Sequence, residues 1–164
     1  MRTLILARHA KSDYPAGVAD HDRPLSPRGR RDAPVAGQWV ADNVGGPEQA
    51  LVSTALRAQE TWTAIAAAIP GTPQHDEPRI YEASPGQLLR VIAEIPADVK
   101  SVIIVGHNPG LEELAERLSS SSPSSDRDRL VEKYPTSAVA VFRTEQDWAH
   151  VVTAELVAFA VPRG

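Results

Sequence analysis

The chain has 164 residues, of which 42% are hydrophobic, with a formal net charge of -4 and no cysteine. This length suits one domain, residues 1–164, with a sizeable core. Disulfides, thiolate metal sites and a cysteine nucleophile are excluded, and the negative charge argues against binding to nucleic acid or anionic membranes. No apolar run approaches the ~20 residues of a membrane span, and the first one stops at Arg8, too early for a signal peptide, so we predict a cytoplasmic protein.

The first strand leads directly into an Arg-His pair. Apolar residues 4–7 predict a strand that is buried on both faces, although periodicity alone does not exclude a helix. Arg8 and His9 follow at the carboxyl end of this strand. In open parallel sheets that end is where ligands bind, so the pair is a candidate for a functional site.

The first helix has a clear start signal. Ser26 is a suitable N-cap and Pro27 suits the first helical position, and we expect the helix to run to about residue 41. Pro34 interrupts the pattern and predicts a kink or a later start, after Asp32.

A second strand over residues 50–53 leads into an alanine-rich helix over residues 54–69. Arg57 lies in the first turn of this helix. A cation there opposes the helix dipole, which favours anions at the amino end. The position of Arg57 therefore suggests a bound anion.

Two further strands are predicted in the middle of the chain. Residues 79–81 form a weak third strand that leads into Glu82, and a helix follows over residues 84–95. Residues 101–106 form the clearest strand of the chain and end at His107.

The last part of the chain combines a capped helix, a loop and a hairpin. Asn108 and Pro109 are expected to cap and begin a helix, and the serine-rich residues 119–125 are predicted to form a mobile loop. Residues 138–142 and 150–157 are predicted to form an antiparallel pair of strands.

The alternation of strands and helices predicts an α/β fold with a mostly parallel sheet, helices on both faces and an antiparallel edge strand. The carboxyl ends of parallel strands meet at one edge of the sheet. The candidate residues that follow the strands should therefore lie together there, and they are Arg8, His9, Arg57, Glu82 and His107.

This set of side chains suits a dianionic phosphoryl group. Arginine binds phosphate oxygens bidentately, and a helix that begins after His107 adds backbone N–H groups. One histidine can attack phosphorus and form a covalent phosphohistidine. The other can be protonated and stabilise charge on the phosphoryl oxygens.

Three stretches resemble the motifs of the histidine phosphatase superfamily, also called phosphoglycerate mutase-like proteins. They are Leu-Ala-Arg-His-Ala at 6–10, Ser-Thr-Ala-Leu-Arg-Ala-Gln-Glu-Thr at 53–61 and Val-Gly-His-Asn-Pro at 105–109. Ala10 stands where the family usually has glycine. The resemblance covers nearly the whole chain and implies the three-layer phosphoglycerate mutase-like fold, with no cofactor and no metal.

Within the superfamily the chain resembles the SixA-type phosphohistidine phosphatases. The resemblance lies in its short length, in Asp-Arg-Pro-Leu-Ser at 22–26 and in Tyr-Pro-Thr at 134–136. It implies that His9 is the nucleophile, and that Arg8, Arg57 and His107 form the phosphate pocket.

Two further roles have alternatives of comparable weight. Arg23 matches an arginine that reaches the phosphate in SixA-type enzymes, or it forms a salt bridge with Asp20 or Asp22. Glu82 lies where many superfamily members have a proton donor, or it forms a salt bridge that holds an arginine.

The predicted function is a metal-independent phosphatase that acts through a covalent phosphohistidine, with a phosphohistidine-bearing protein as the substrate. A small-molecule phosphatase or mutase of the same superfamily is the alternative. A non-catalytic module that binds phosphorylated ligands and a metallohydrolase that uses His9 and His107 are weaker alternatives. The remaining histidines, His21, His75 and His150, are expected to be solvated surface residues.

Overall fold

The apolar runs of the sequence form the strands of one mixed sheet in the computed structural model, which describes residues 1–164. The six strands are β1 (Arg2–Arg8), β2 (Gln49–Val52), β3 (Gln74–Asp76), β4 (Ser101–Gly106), β5 (Val139–Thr144) and β6 (Glu155–Ala160). Their order across the sheet is β3-β2-β4-β1-β5-β6. The first four strands are mutually parallel, β5 pairs antiparallel with β1, and β6 pairs antiparallel with β5 at the edge of the sheet.

Five α-helices cover the two faces of this sheet. They are α1 (Pro27–Asn43), α2 (Leu56–Ala68), α3 (Pro85–Ala93), α4 (Gly110–Leu118) and α5 (Ser125–Glu132). One core cluster joins the sheet to α1 and α2, and a larger one joins it to α3, α4 and α5. The predicted three-layer α/β architecture is therefore confirmed. None of the helices is both long enough and apolar enough to cross a membrane.

The central strand β1 is buried on both faces, as its apolar run predicts. Leu4 and Leu6 belong to the larger cluster, whereas Ile5 and Ala7 belong to the smaller one. Burial of each large aliphatic side chain contributes roughly 1.5–3 kcal/mol, so the position of this strand is strongly determined. Arg8 and His9 follow directly from this buried run of residues.

Helix α1 begins at Pro27, so the later start after Asp32 is wrong. The Ser26 hydroxyl oxygen accepts a hydrogen bond from the Gly29 N–H at 3.1 Å and caps the helix at that point. Pro34 lies inside the helix and is exposed, so water can solvate the carbonyl that its missing N–H leaves free.

The predicted third strand over residues 79–81 is wrong. Residues 78–80 form a short 3-10 helix that begins with Pro78, and the Glu77 carboxylate caps it. The third strand is β3, six residues before Glu82. Its three residues are polar and exposed, so it lacks the apolar signal by which a strand is recognised.

The serine-rich segment is shorter than predicted, because α5 begins at Ser125. The Ser124 hydroxyl oxygen accepts from the Arg127 N–H and caps this helix, which buries only Leu130. The antiparallel pairing of β5 and β6 is confirmed. However, β6 begins at Glu155, because residues 148–150 form a 3-10 helix in the connection.

Candidate active site

The carboxyl ends of β1, β2 and β4 lie side by side in the middle of the sheet. Ladder-like hydrogen bonds continue one residue past each strand: the His9 N–H donates to the Gly106 carbonyl, and the Ser53 N–H donates to the Val105 carbonyl, each at 3.1 Å. The rings of His9 and His107 are consequently 5.1 Å apart between centroids. The sheet brings the two predicted histidines together.

The tautomer of His9 follows from its backbone contact. Its Nδ1 lies 2.7 Å from the Ala10 carbonyl oxygen, which can only accept a hydrogen bond, so Nδ1 carries the proton. The Nε2 lone pair is then free. Ala10 has no positive φ and is fully buried, and its N–H donates to the Thr61 hydroxyl. Alanine therefore replaces the usual glycine without strain.

A serine at the end of β2 orients His107. The Ser53 hydroxyl accepts from the Ala55 N–H and lies 2.7 Å from His107 Nε2. No other acceptor contacts this hydroxyl, so its own proton goes to Nε2. Neutral His107 then carries its proton on Nδ1, a buried atom with no hydrogen-bond partner in the protein.

The two predicted pocket arginines are each anchored by their terminal nitrogens. Arg8 Nη1 donates to the Tyr134 carbonyl at 3.1 Å. Arg57 Nη1 donates to the Asp20 carbonyl at 2.8 Å, and its Nη2 donates to the Asp20 carboxylate at 3.2 Å. The Nε atoms of both arginines are buried without a partner. Both guanidinium groups thus retain donor capacity.

The two histidines are neutral in the free protein. Burial lowers the pKa of His9 to about 3, and the nearby charges of Arg57 and Arg8 act in the same direction. Burial also lowers the pKa of His107 to about 3, with Arg57 as the next cause. In the free protein His107 is therefore a neutral N–H donor, whereas the expectation of a protonated histidine concerned a pocket that holds a phosphoryl group.

Arg23 forms the salt bridge that was the alternative to phosphate contact, and its partner is Asp20. Arg23 Nε lies 3.0 Å from the Asp20 carboxylate, and its Nη1 donates to the Ser12 hydroxyl at 2.7 Å. Its guanidinium carbon lies 4.0 Å from the centre of the Tyr14 ring. Asp22 instead lies 3.8 Å from His21.

Glu82 is exposed and has a positive φ of 57°. It forms no ion pair with an arginine, so the salt bridge considered for it is absent. It does line the same cavity of about 390 Å³ as Arg57 and His107. The other lining side chains are mainly polar and include Tyr81, Ser84, Gln87, Asn108 and Glu113.

The helix after His107 differs from the prediction. It begins at Gly110, and no side chain caps it. The Asn108 amide instead donates to the Tyr134 carbonyl at 2.7 Å, the same oxygen that anchors Arg8. The Leu111 N–H donates to the His107 carbonyl and is therefore not available to an anion. This helix start offers fewer backbone donors than expected.

Tyr81 and Asp20 belong to the site, and the sequence prediction assigned neither to it. The Tyr81 hydroxyl donates to the Asp20 carboxylate at 2.5 Å, and its ring meets His107 edge-on at 5.6 Å between centroids. The side chain of His21 stays partly exposed to solvent, as predicted, but it also lies beside the Tyr81 ring, with Nε2 2.9 Å from the Thr54 hydroxyl. The only sequence signal for this part of the site was the run of charged and titratable residues at 20–23.

Comparison with known proteins agrees with this geometry. The family model of the histidine phosphatase superfamily (branch 1) matches residues 4–142. An uncharacterised protein of Mycobacterium tuberculosis is 42% identical over 160 residues, which are 95% of this chain and 99% of that protein.

Two solved structures show the same fold at different levels of sequence identity. A protein of Nakamurella multipartitia, provisionally described as the phosphohistidine phosphatase SixA, is 31% identical with a TM-score of 0.88, over 98% of this chain and 96% of that one. A phosphoglycerate mutase of Plasmodium falciparum has a TM-score of 0.64 at 16% identity, over 99% of this chain and 92% of that one.

The fold and these matches define a phosphatase, a hydrolase of phosphoryl bonds. The chain belongs to the histidine phosphatase superfamily, in its SixA-type branch.

Proposed function

We propose that this phosphatase hydrolyses phosphohistidine on a protein, without a metal, through a covalent phosphohistidine formed on His9. One observation carries the proposal. Arg8, Arg57 and His107 lie close enough to His9 to lower its pKa, and each has a buried nitrogen without a partner in the protein: Arg8 Nε, Arg57 Nε and His107 Nδ1. A buried donor without an acceptor costs about 1–3 kcal/mol, and more when it is charged. A phosphoryl group has three oxygens that can accept from all three.

The assignment of roles follows from these donors. Arg8, Arg57 and His107 bind the phosphoryl oxygens and stabilise the charge that they carry in the transition state. His9 is the nucleophile, because its Nδ1 proton is held by the Ala10 carbonyl and its Nε2 is unprotonated at neutral pH. Arg23 supports the pocket through its contact with Asp20.

The reaction is a double displacement. His9 Nε2 forms a bond to phosphorus while the bond from phosphorus to the substrate nitrogen breaks, and that nitrogen keeps the electron pair. If the far nitrogen of the substrate imidazole carries a proton, the leaving group is neutral imidazole. Water then attacks phosphorus, the bond to Nε2 breaks, and inorganic phosphate is released with the protons of the water.

The choice of phosphohistidine over a phosphate ester has two supports. The Nakamurella multipartitia protein, which is 31% identical, is provisionally described as a phosphohistidine phosphatase. In addition, Glu82 is exposed and forms no ion pair that would hold it in place, whereas an alkoxide leaving group needs a positioned acid. We therefore assign Glu82 to the wall of the cavity that it lines with Arg57 and His107, where the leaving group would lie.

A turnover comparison tests the proposal. Purified protein is assayed with a phosphohistidine-containing protein, free phosphohistidine, an aryl phosphate and sugar phosphates, with and without EDTA. We expect the highest kcat/KM on protein phosphohistidine and no effect of EDTA. A preference for sugar phosphates would transfer the assignment to a small-molecule phosphatase or mutase. A complete loss in EDTA that metal restores would favour a metallohydrolase.

A further inference from the structure

The segment between β1 and α1 places one carboxylate at the mouth of the phosphate pocket. Asp20 begins a 3-10 helix over residues 20–22, and its side chain is about half exposed. We infer that Asp20 is a positioning residue that holds Arg57, Arg23 and Tyr81 in the geometry that binds the phosphoryl group. This inference rests on the proposed function only in taking that group as the ligand of the pocket.

The contact with Arg57 is the strongest part of the argument. Asp20 engages both terminal nitrogens of this guanidinium, Nη1 through its carbonyl and Nη2 through its carboxylate. Arginine has a long side chain with about 2 kcal/mol of rotamer entropy, and two fixed nitrogens leave it one orientation. In that orientation Nε is the buried donor without a partner. Asp20 thus fixes a guanidinium group whose Nε it leaves unpaired.

The same carboxylate organises two more groups. Its Oδ1 accepts from Arg23 Nε at 3.0 Å, and its Oδ2 accepts from the Tyr81 hydroxyl at 2.5 Å. The Tyr81 ring packs edge-on against His107, so the contact reaches a second phosphate ligand. One acidic residue therefore joins the segment before α1 to ligands that follow β2 and β4.

Asp20 stays ionised while it does this. The hydrogen bond from Tyr81, followed by that from Arg23, holds the pKa of its carboxyl well below the usual range. The carboxylate is therefore not a proton donor at neutral pH.

Charge alone predicts the opposite effect from positioning. A carboxylate beside an anion site repels the anion, so its removal should tighten oxyanion binding if Asp20 acts only through its charge. If Asp20 positions Arg57, its removal should weaken binding, because the donor is no longer aimed. The sign of the change in affinity separates the two.

The experiment measures tungstate affinity by calorimetry for the wild type, Asp20→Asn and Asp20→Glu. Asp22→Asn is the matched control, since it removes the same charge from the same 3-10 helix and does not touch Arg57. We expect Asp20→Asn to weaken tungstate binding about tenfold, as for loss of charge-assisted hydrogen bonds, and Asp22→Asn to change it less than about twofold. Unchanged or tighter binding in Asp20→Asn would overturn the inference.

Asp20→Glu keeps the charge and moves the carboxylate by one methylene. Positioning predicts an affinity between those of the wild type and Asp20→Asn, and wild-type affinity in this variant would overturn the inference even if Asp20→Asn failed to fold. Tungstate binding requires no turnover. A protein that binds tungstate in the expected order but does not hydrolyse phosphohistidine would refute the proposed function and leave the role of Asp20 intact.

Discussion

His9 Nδ1 lies 2.7 Å from the carbonyl oxygen of Ala10, the next residue in the chain. The contact fixes both the ring orientation and the tautomer, because a carbonyl cannot donate. Nε2 is left as the nucleophilic atom, with its pKa lowered by burial so that it is unprotonated at neutral pH.

The first prediction follows from this contact. His9→Ala should lower turnover of phosphohistidine by at least about a thousandfold, because no other group replaces the nucleophile. Wild-type protein quenched in denaturant at alkaline pH should carry phosphate on His9, in an acid-labile bond seen by mass spectrometry. His75→Ala, an exposed histidine, is the control. Substantial activity in folded His9→Ala would rule out the covalent mechanism.

Ser53 should matter through His107. Ser53→Ala removes the hydroxyl that donates to His107 Nε2, so the ring loses its tautomer preference and a buried acceptor is left unpaired. We expect kcat/KM to fall roughly 10–100-fold. Thr54→Ala is the matched control, because that hydroxyl contacts His21 and not His107. Equal losses in both variants would point to a general disturbance of the loop.

Arg57 should dominate oxyanion binding. Arg57→Gln removes a buried cation, and tungstate should bind about a hundredfold more weakly as judged by competitive inhibition of turnover. Arg30→Gln, on the exposed surface of α1, should leave the inhibition constant unchanged. Comparable inhibition of Arg57→Gln and wild type would place the oxyanion elsewhere.

The effect of Glu82 should depend on the substrate. A positioned acid contributes ~10²–10⁴-fold to the breaking of a phosphate ester, whereas imidazole departs neutral and needs little help. Glu82→Gln should therefore lower kcat/KM for phosphohistidine less than about tenfold. If alkyl phosphates are hydrolysed, their kcat/KM should fall by more than that. The measurement is kcat/KM for both substrates. A large and equal loss on both would show a role common to the two reactions, contrary to this argument.

The buried histidines should make stability depend on pH. Their pKa values are lowered to about 3 in the folded protein, from an ordinary value of 6.5. Between pH 6.5 and 3 the unfolded chain binds protons that the folded chain does not, so the free energy of unfolding falls as the pH drops through this window. Each histidine should account for about 2 kcal/mol between pH 7 and pH 5.

Urea unfolding at the two pH values tests this effect, in buffers free of phosphate and sulfate, which would bind the site. His9→Gln should lose about 2 kcal/mol less than the wild type on going from pH 7 to pH 5. His75→Gln should lose as much as the wild type. The same pH dependence in His9→Gln and wild type would contradict the assigned pKa of His9.

Local patterns in the sequence were enough to predict the central strands and the residues that follow them. Short apolar runs before Arg8 and His107 predict strands buried on both faces, and parallel strands bring their carboxyl ends to one edge. Arg57 was found because a cation in a first helical turn opposes the dipole. These signals are local, since they depend on the pattern of neighbouring residues.

The contacts that orient these groups and shift their pKa values are visible only in the folded protein. Asp20 meets Arg57 and Tyr81 at separations of 37 and 61 residues, and such contacts leave no periodic trace in the sequence. Strand β3 is polar and exposed, so no apolar run marks it in the sequence. The lowered pKa of His107 arises from burial by segments remote in the chain, so only the folded arrangement makes it a neutral donor.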